Sequence, residues 1–459
     1  MSAAEKSLLL APLDTKFRPT AQFIQQYRTS LERAGNGVPF ALAMEHPDGA
    51  ISHYKTVIRP NDSSPETLQY AERITKFLLW SRGAWRLHIA GPAVIANHLR
   101  QVYSNVGARA FDCDIMTRSF GRPFEVVAAQ NGVLPPEKSL ANACGGFLDG
   151  CRLGFDLGAS DYKVAAVKDG EVLFSDEYPW NPRDQKDPDY HFNHLMSGLK
   201  KAAAHLPRVD AIGGSSAGVI FDNKIRVASL LRSIPADRYE EASRLFLRVQ
   251  AEWQVPLLTM NDGDVSALAG SLSLGTNGVL GLAFGSSLAG GYVDMEGHMR
   301  GWLTELAFAP VDENPVAPAD EWSGDRGVGA LYFSQQAVNK LLPAAGISCP
   351  DGMPLPERLL VVQDLMEKGD ERAAQIYETI GVYLGSTLPL YTEFYDFRNV
   401  LLLGRVLTGK GGEIIIERSR KVYGKLDPKR AAQISIQVPD EKSRRVGQAV
   451  AAASLPKRS

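Results

Sequence analysis

RLGFDLGASDYKVAAVKDGEVLFSDEY (152–178) is the stretch on which the reading of the whole chain turns. RLGF is a short apolar run that ends in a small-residue turn, Asp156 to Ser160. A second apolar run follows and breaks at Asp169-Gly170, a dipeptide suited to the left-handed positions of a tight hairpin. The pattern predicts three strands joined by two turns. A helix over about 190–204 comes next, then VDAIGGSSAGVI (209–220), an apolar strand running into a glycine-serine loop. A helix over 237–253 places Leu245, Phe246, Val249 and Trp253 on one face, and VPLLTM (255–260) is strand-like again. Apolar strands alternating with helices predict an α/β fold with sheets covered by helices.

Upstream, residues 37–58 predict a hairpin turning at His46-Pro47-Asp48-Gly49. Ser64 is placed to cap a helix with Pro65 in its first turn and Leu68, Ala71, Ile74 and Leu78 at helical spacing. WRLHIAGP (85–92) reads as a strand and AVIANHLRQVY (93–103) as a helix. The order hairpin, helix, strand resembles that of 152–214 and raises a duplicated lobe, though residue identity between the two is slight. Downstream, NDGDVSALAGSLSL (261–274) opens a helix at an acidic turn, where Asp262 or Asp264 can cap residues 265–274. GVLGLAFGSSLAGGYVD (278–294) is strand, turn, strand; 356–396 is mainly helical; NVLLLGRV (399–406) is a strand ending in Gly404; and 441–453 is a last helix. Three parts are expected: an α/β region over 1–150, a lobe over 151–260 and a second lobe over 261–459, the last helix packing back on the first lobe.

Composition narrows the function. With 50 basic and 52 acidic side chains, the net charge is −2 and no field exists for holding polyanions, which argues against nucleic acid as a partner. No apolar run approaches the roughly 18–20 residues that span a bilayer, so no membrane partner is expected either. Four cysteines (Cys113, Cys144, Cys151, Cys349) lack paired metal-ligand spacing and are too sparse for a disulfide scaffold. The chain reads as cytoplasmic.

Three glycine-rich turns share one chemistry. Asp156-Leu157-Gly158-Ala159-Ser160 offers backbone N–H groups and a hydroxyl to phosphate oxygens, Asp156 can hold a hydrated Mg²⁺, and Lys163 can neutralise phosphate charge. Gly285-Ser286-Ser287-Leu288-Ala289-Gly290-Gly291 lies between two apolar strands and can grip the same phosphates from the other side. Gly404, after a buried strand, leaves room for a purine ring. Each turn taken singly is an ordinary β-turn; their order and spacing carry the inference.

These residues resemble the ROK family of sugar kinases and sugar-responsive repressors, within the actin, Hsp70 and hexokinase ATPase superfamily. Residues 156–160 are similar to its Asp-x-Gly-Gly-Thr motif, Asn261-Asp262 to its Asn-Asp pair, 285–291 to a degraded second phosphate motif, and GWLTELAF (301–308) to its Gly-x-x-Gly-Glu-x-Gly-His. The resemblance spans about 152–453 and implies two RNase H-like lobes around a cleft, preceded by the N-terminal α/β region. It implies an ATP- and Mg²⁺-dependent kinase of a sugar-like hydroxyl, with Asp262 as base and Asn261 and Glu305 on the acceptor. The alternative is a non-catalytic sensor or scaffold on the same fold, and a homodimer is left open.

The departures are specific. The family's zinc-binding histidine is Phe308 here, and its cysteine stretch is EWSGDRGV (321–328), so no structural zinc is expected. A second sugar-binding Glu would fall at Ala330. Trp302, Trp322 and Tyr332 are nearby aromatics able to stack on a sugar face.

Overall fold

Helix α1 (Thr20–Ala34) leads into an antiparallel hairpin of β1 (Val38–Glu45) and β2 (Ile51–Ile58), closed by a turn in which His46 N–H donates to Ala50 O at 2.9 Å. The computed structural model describes residues 8–60, 62–139, 145–158, 160–439 and 441–458, and the side chains of these except 441–446; Ala159 and Cys144 fall outside them. Helix α2 (Pro65–Arg82) starts where its signals predict, Ser64 Oγ accepting from Thr67 N–H at 3.4 Å. Strand β3 (Arg86–Ala90), helices α3 (Ala93–Val102) and α4 (Ala110–Phe120) and strand β4 (Glu125–Ala128) complete the N-terminal unit, whose sheet order is β2-β1-β3-β4.

In the first lobe β5 (Cys151–Leu157), β6 (Asp161–Lys168) and β7 (Glu171–Pro179) form an antiparallel meander. Asp169 and Gly170 take φ of 49° and 85° at its second turn, the conformation the dipeptide predicts. Helix α5 (Pro188–Ala203) crosses to β8 (Ala211–Ser216), parallel to β5. A short hairpin, β9 (Val219–Phe221) and β10 (Lys224–Val227), and helix α6 (Leu245–Trp253) precede β11 (Leu257–Asn261), parallel to β8. The order β11-β8-β5-β6-β7 is the RNase H-like arrangement.

The second lobe has a shorter version. Helix α7 (Asp262–Leu274) is followed by the hairpin β12 (Val279–Phe284) and β13 (Leu288–Val293), and β14 (Asn399–Leu403) lies parallel to β12. Between them come helices α8 (Gln335–Leu341), α9 (Leu355–Glu367) and α10 (Glu371–Phe394); α11 (Gly409–Leu426), β15 (Ser435–Gln437) and α12 (Glu441–Ala453) close the chain. The sheet order is β13-β12-β14-β15. Ala449 and Ala453 of α12 pack on Ala165 and Val167 of the first lobe. The approach is close enough that a Cβ at Gly213 would lie 1.6 Å from Ala452 O.

The N-terminal sheet does not repeat the first lobe. β3 pairs antiparallel with β1, whereas β8 is parallel to β5. The cause is parity. A helical crossover returns the next strand parallel to the one before it. After a two-strand hairpin that direction opposes β1; after a three-strand meander it matches β5.

Core packing groups the parts differently from the chain order. Phe40, Phe77 and Trp80 of the N-terminal unit belong to one buried cluster with Leu282, Tyr391 and Leu402 of the second lobe. The first lobe keeps its own, with Leu153, Phe155, Leu195, Ile212 and Phe246. A buried ionic network reinforces the first junction: Lys76 Nζ lies 2.9 Å from Asp112 and 2.5 Å from Asp325, and Arg109 pairs with Glu72 at 2.5 Å and with Asp325. Among the described residues no helix is long and apolar enough to cross a membrane.

Candidate active site

The site is built on the first turn of α7. Asn261 caps that helix, its Oδ1 accepting from Gly263 N–H at 2.8 Å while its Nδ2 donates to Gly218 O at 2.8 Å. This corrects the expected start at residue 265: the helix begins at Asp262, and neither aspartate serves as the cap. Asp262 is partly exposed, and Asp264 is buried beneath it, accepting from Tyr292 N–H at 3.4 Å. The amide of Asn261, expected on the acceptor, is already bonded to protein at both ends.

Helix α7 stands between two cavities. One, of about 330 Å³, is lined by Asn261, Asp264 and Glu305 together with His46 and Asp48 of the N-terminal hairpin and Arg226 of the first lobe. The other, of about 720 Å³, is lined by Lys163 and Glu177 of the first lobe, Ser266 of α7, and Ala283 and Gly404 of the second lobe. A turn of helix separates Asp262 from Ser266, whose Oγ donates to Asp262 O at 2.7 Å.

Four carboxyl groups share this region, and among the described residues none of them forms an ion pair, though the Lys163 charge favours ionised Asp156. Burial pushes Asp156 up to about 6; Ser215 Oγ, donating at 2.6 Å, opposes the shift and the Asp262 charge adds to it. Asp262 is raised by burial against the stabilising Gly263 N–H. Burial raises Asp264 to about 8, with Asp262 adding to the effect. Glu305 also reaches about 8, first through burial and then through the charges of Asp262 and Asp264. Desolvation and like charge act in the same direction. The segment carrying Glu305 is held by the end of α2: Leu303, Thr304 and Glu305 N–H donate to the carbonyls of Arg82, Ser81 and Trp80 at 3.2, 2.9 and 2.9 Å.

The predicted phosphate turns are placed less uniformly. Gly158 N–H already donates to Asp161 O at 3.0 Å, and exposed Ser160 donates from Oγ to Asp161 at 2.9 Å. Lys163 does face the larger cavity, 3.8 Å from both Asp161 and Glu177. Gly285, Ser286 and Ser287 form the turn between β12 and β13; Gly285 O accepts from Gln335 N–H at 2.9 Å, and both serines are exposed at the tip. Gly290 and Gly291, read as part of that turn, lie inside β13 instead. Their lack of a side chain serves packing: a Cβ at Gly291 would lie 2.0 Å from Gly263 O, and one at Gly290 2.7 Å from Thr304 O. They let β13 press against both the first turn of α7 and the Glu305 segment. Gly404, at φ 100°, packs on the end of β12 and lines the larger cavity.

Of the three candidate aromatics, Trp302 lines the smaller cavity, Tyr332 is fully buried with its hydroxyl on Asp312 at 2.6 Å, and Trp322 is largely exposed. Phe308 packs on Trp80 and Trp322 at 4.5 and 5.5 Å, and Asp325 in the segment 321–328 takes part in the Lys76 network. Apolar and ionic contacts with the N-terminal unit thus anchor the segment compared with the family's zinc loop. The sequence reading missed His46, Asp48 and Arg226 on the smaller cavity; the Asp-Gly turn revealed a hairpin, but nothing local told where its tip would dock.

The chain matches no family model and no curated protein in sequence. Its structure is similar to that of a ROK hexokinase from Thermus thermophilus, at 20% identity and a TM-score of 0.52 over 66% of this chain and 97% of that one. It is equally similar to a ROK-family transcriptional regulator, a homologue of the E. coli MLC protein, at 18% identity and a TM-score of 0.52 over 79% of this chain and 89% of that one. The chain therefore has the two-lobed fold of the ROK proteins, with the N-terminal unit built onto the second lobe.

Proposed function

We propose that the protein is an ATP- and Mg²⁺-dependent kinase that phosphorylates a hydroxyl of a sugar or sugar-like acceptor. The observation that carries this reading is the place of Asp262 in the chain: partly exposed and lining neither cavity itself, it stands between Asn261 and Asp264 on the smaller cavity and one turn before Ser266 on the larger one, which Lys163 and Gly404 also line. A hydroxyl is a poor nucleophile, and a carboxylate at that point can accept its proton as the phosphoryl group transfers. The raised pKa brings this base nearer to neutral pH, where proton acceptance is most effective. Protonated at pH 7, Glu305 and Asp264 both donate and accept hydrogen bonds, as recognition of acceptor hydroxyls requires. In the larger cavity Lys163 meets phosphate charge, and Gly404 lies on the wall against which a base would rest.

Mg²⁺ fits Asp156: the group is a hard oxygen donor, holds one hydrogen bond from Ser215, and lies beside a second carboxylate whose repulsion a cation relieves. Among the described residues no three acids or imidazoles converge as a protein cage, so Asp156 would act through water, the triphosphate supplying other ligands. Bound there, the ion supplies charge neutralisation on the transferring group.

The second reading, a sensor without turnover, draws on one observation: Gly158 N–H is already satisfied within its turn, and Asp161 and Glu177 flank Lys163. Two measurements separate the readings. ATP–Mg²⁺ should raise the melting temperature, a ligand at 100 times its Kd contributing about 2.7 kcal/mol. Coupled ADP release over a sugar panel should then depend on the acceptor. Asp262→Asn should lower that turnover by roughly 10²–10⁴-fold with little change in nucleotide binding. Equal loss of both would contradict the base role, ADP release without acceptor would indicate an ATPase, and no nucleotide shift would favour the sensor.

A further inference from the structure

A third cavity, of about 770 Å³, lies between the N-terminal hairpin and the second lobe, with Ser52, Arg82, Arg300, Trp302 and Tyr395 on its wall; of the carboxylates that also line it, Glu393 is paired with Arg28, Asp396 with Arg398, and Glu137 accepts from His53 N–H. That volume is within the roughly 300–1,000 Å³ typical of small-molecule sites. Its most unusual group is Arg82, the last residue of α2, which is only 8% exposed. One terminal nitrogen donates to His53 O at 2.8 Å, but Nε has no acceptor, and the side chain forms no ion pair with any described residue. Glu137 acts on it favourably and Arg300 unfavourably.

The two guanidinium groups lie over the same indole, Arg82 at 5.0 Å and Arg300 at 5.8 Å from the centre of Trp302. Arg300 is paired with Asp294 at 2.8 Å and Glu296 at 3.6 Å, so the uncompensated charge is that of Arg82. The C-terminal end of α2 offers Arg82 a partial negative charge but no acceptor for Nε. Ser52 Oγ, on the same wall, is also buried without a partner. Burying a guanidinium with an unused donor costs free energy that an oxyanion can recover, because Arg matches carboxylate and phosphate in a forked geometry.

We propose that this cavity binds a small-molecule oxyanion, a carboxylate or phosphate borne on a body of about monosaccharide size. The oxyanion pairs with Arg82 and the body lies along Trp302 and Tyr395. The cavity adjoins the smaller one of the acceptor reading and shares His46, Ala50, Arg300 and Trp302 with it, but Arg82 and Ser52 line this cavity alone, so the proposal does not depend on phosphoryl transfer.

Calorimetry on the full chain without nucleotide tests it, with inorganic phosphate, glucose 6-phosphate and gluconate as probes and glucose as the neutral control. At least one anionic sugar derivative should bind saturably at one site, more tightly than inorganic phosphate. Arg82→Gln should weaken that binding by at least about tenfold, consistent with loss of a charged hydrogen bond. Arg82→Lys should retain part of it. Ser52→Phe, which fills the cavity and leaves Arg82 in place, should weaken binding too, and it decides the matter if Arg82→Gln fails to fold. Glu305→Gln should leave binding unchanged, since that residue belongs to the other cavity. Absence of binding by all three anions, or binding that survives both Arg82→Gln and Ser52→Phe, overturns the proposal.

Discussion

The first lobe and the second differ in how each closes its core. The first has a full five-stranded sheet, helices of its own, and a core cluster drawn from residues 153–257. Among the described residues the second has four strands and no third meander strand, and its core continues into helices α1 and α2 of the N-terminal unit. The comparison shows that the N-terminal region is part of the second lobe in physical terms, although the first lobe separates the two in sequence. It also explains why Glu305 is placed by carbonyls of residues 80–82: the segment that carries it runs along the seam.

The largest test is to break the seam outright. A fragment beginning near residue 150 should lack a fixed tertiary structure in its second lobe, because Tyr391 and Phe394 would lose Phe77, and Phe308 would lose Trp80, from the shared core. Near-UV circular dichroism and size exclusion would report this as loss of signal and aggregation. A soluble, cooperatively unfolding monomer would show that the second lobe is as self-contained as the first.

A single substitution sharpens the same contrast. Lys76→Met leaves Asp112 buried without a cation and Asp325 with Arg109 alone, and removing one partner of a buried network costs about 3–5 kcal/mol. Lys163→Met, in the first lobe, removes a cation that is 44% exposed and 3.8 Å from its acids, a loss of roughly 1 kcal/mol or less. Urea denaturation of both variants should show the difference; equal effects would mean that the network is not what ties the N-terminal unit down.

How much of this was legible depended on the range of the interaction. The meander 152–178 could be read because Asp169-Gly170 states its turn locally, and α2 because Ser64 and Pro65 state its start. The start of α7 differs from the expected one because Asp262 and Asp264 both suit a cap, whereas Asn261 takes that place, fixed by its tertiary contact with Gly218. Gly290 and Gly291 looked like a turn because glycine marks turns and close packing alike; what distinguishes them is the helix lying on β13, a contact remote in sequence. The cavity-lining roles of His46, Arg82 and Trp302 depend on the same seam and have no local signature.

The last contrast concerns protons at that seam. Glu305 carries its proton up to about pH 8 in the fold, against 4.5 for an unperturbed glutamate, so between those values the folded chain holds a proton the unfolded chain releases. The contribution of Glu305 to stability is then fully present below about 4.5 and is lost as pH rises through 8. Glu305→Gln mimics the protonated state, so it should melt like the native chain at pH 4.5 and above it at pH 9. For Asp156, in the first lobe, the same argument gives a window from 3.8 to about 6, so the advantage of Asp156→Asn should already be complete at neutral pH. The four carboxyls titrate as a coupled set, so the two profiles will overlap, but their upper limits should stay apart. Profiles that end at the same pH would mean that the two lobes present one shared electrostatic environment to the cleft, and the distinction between a closed lobe and a seam would not extend to the site's chemistry.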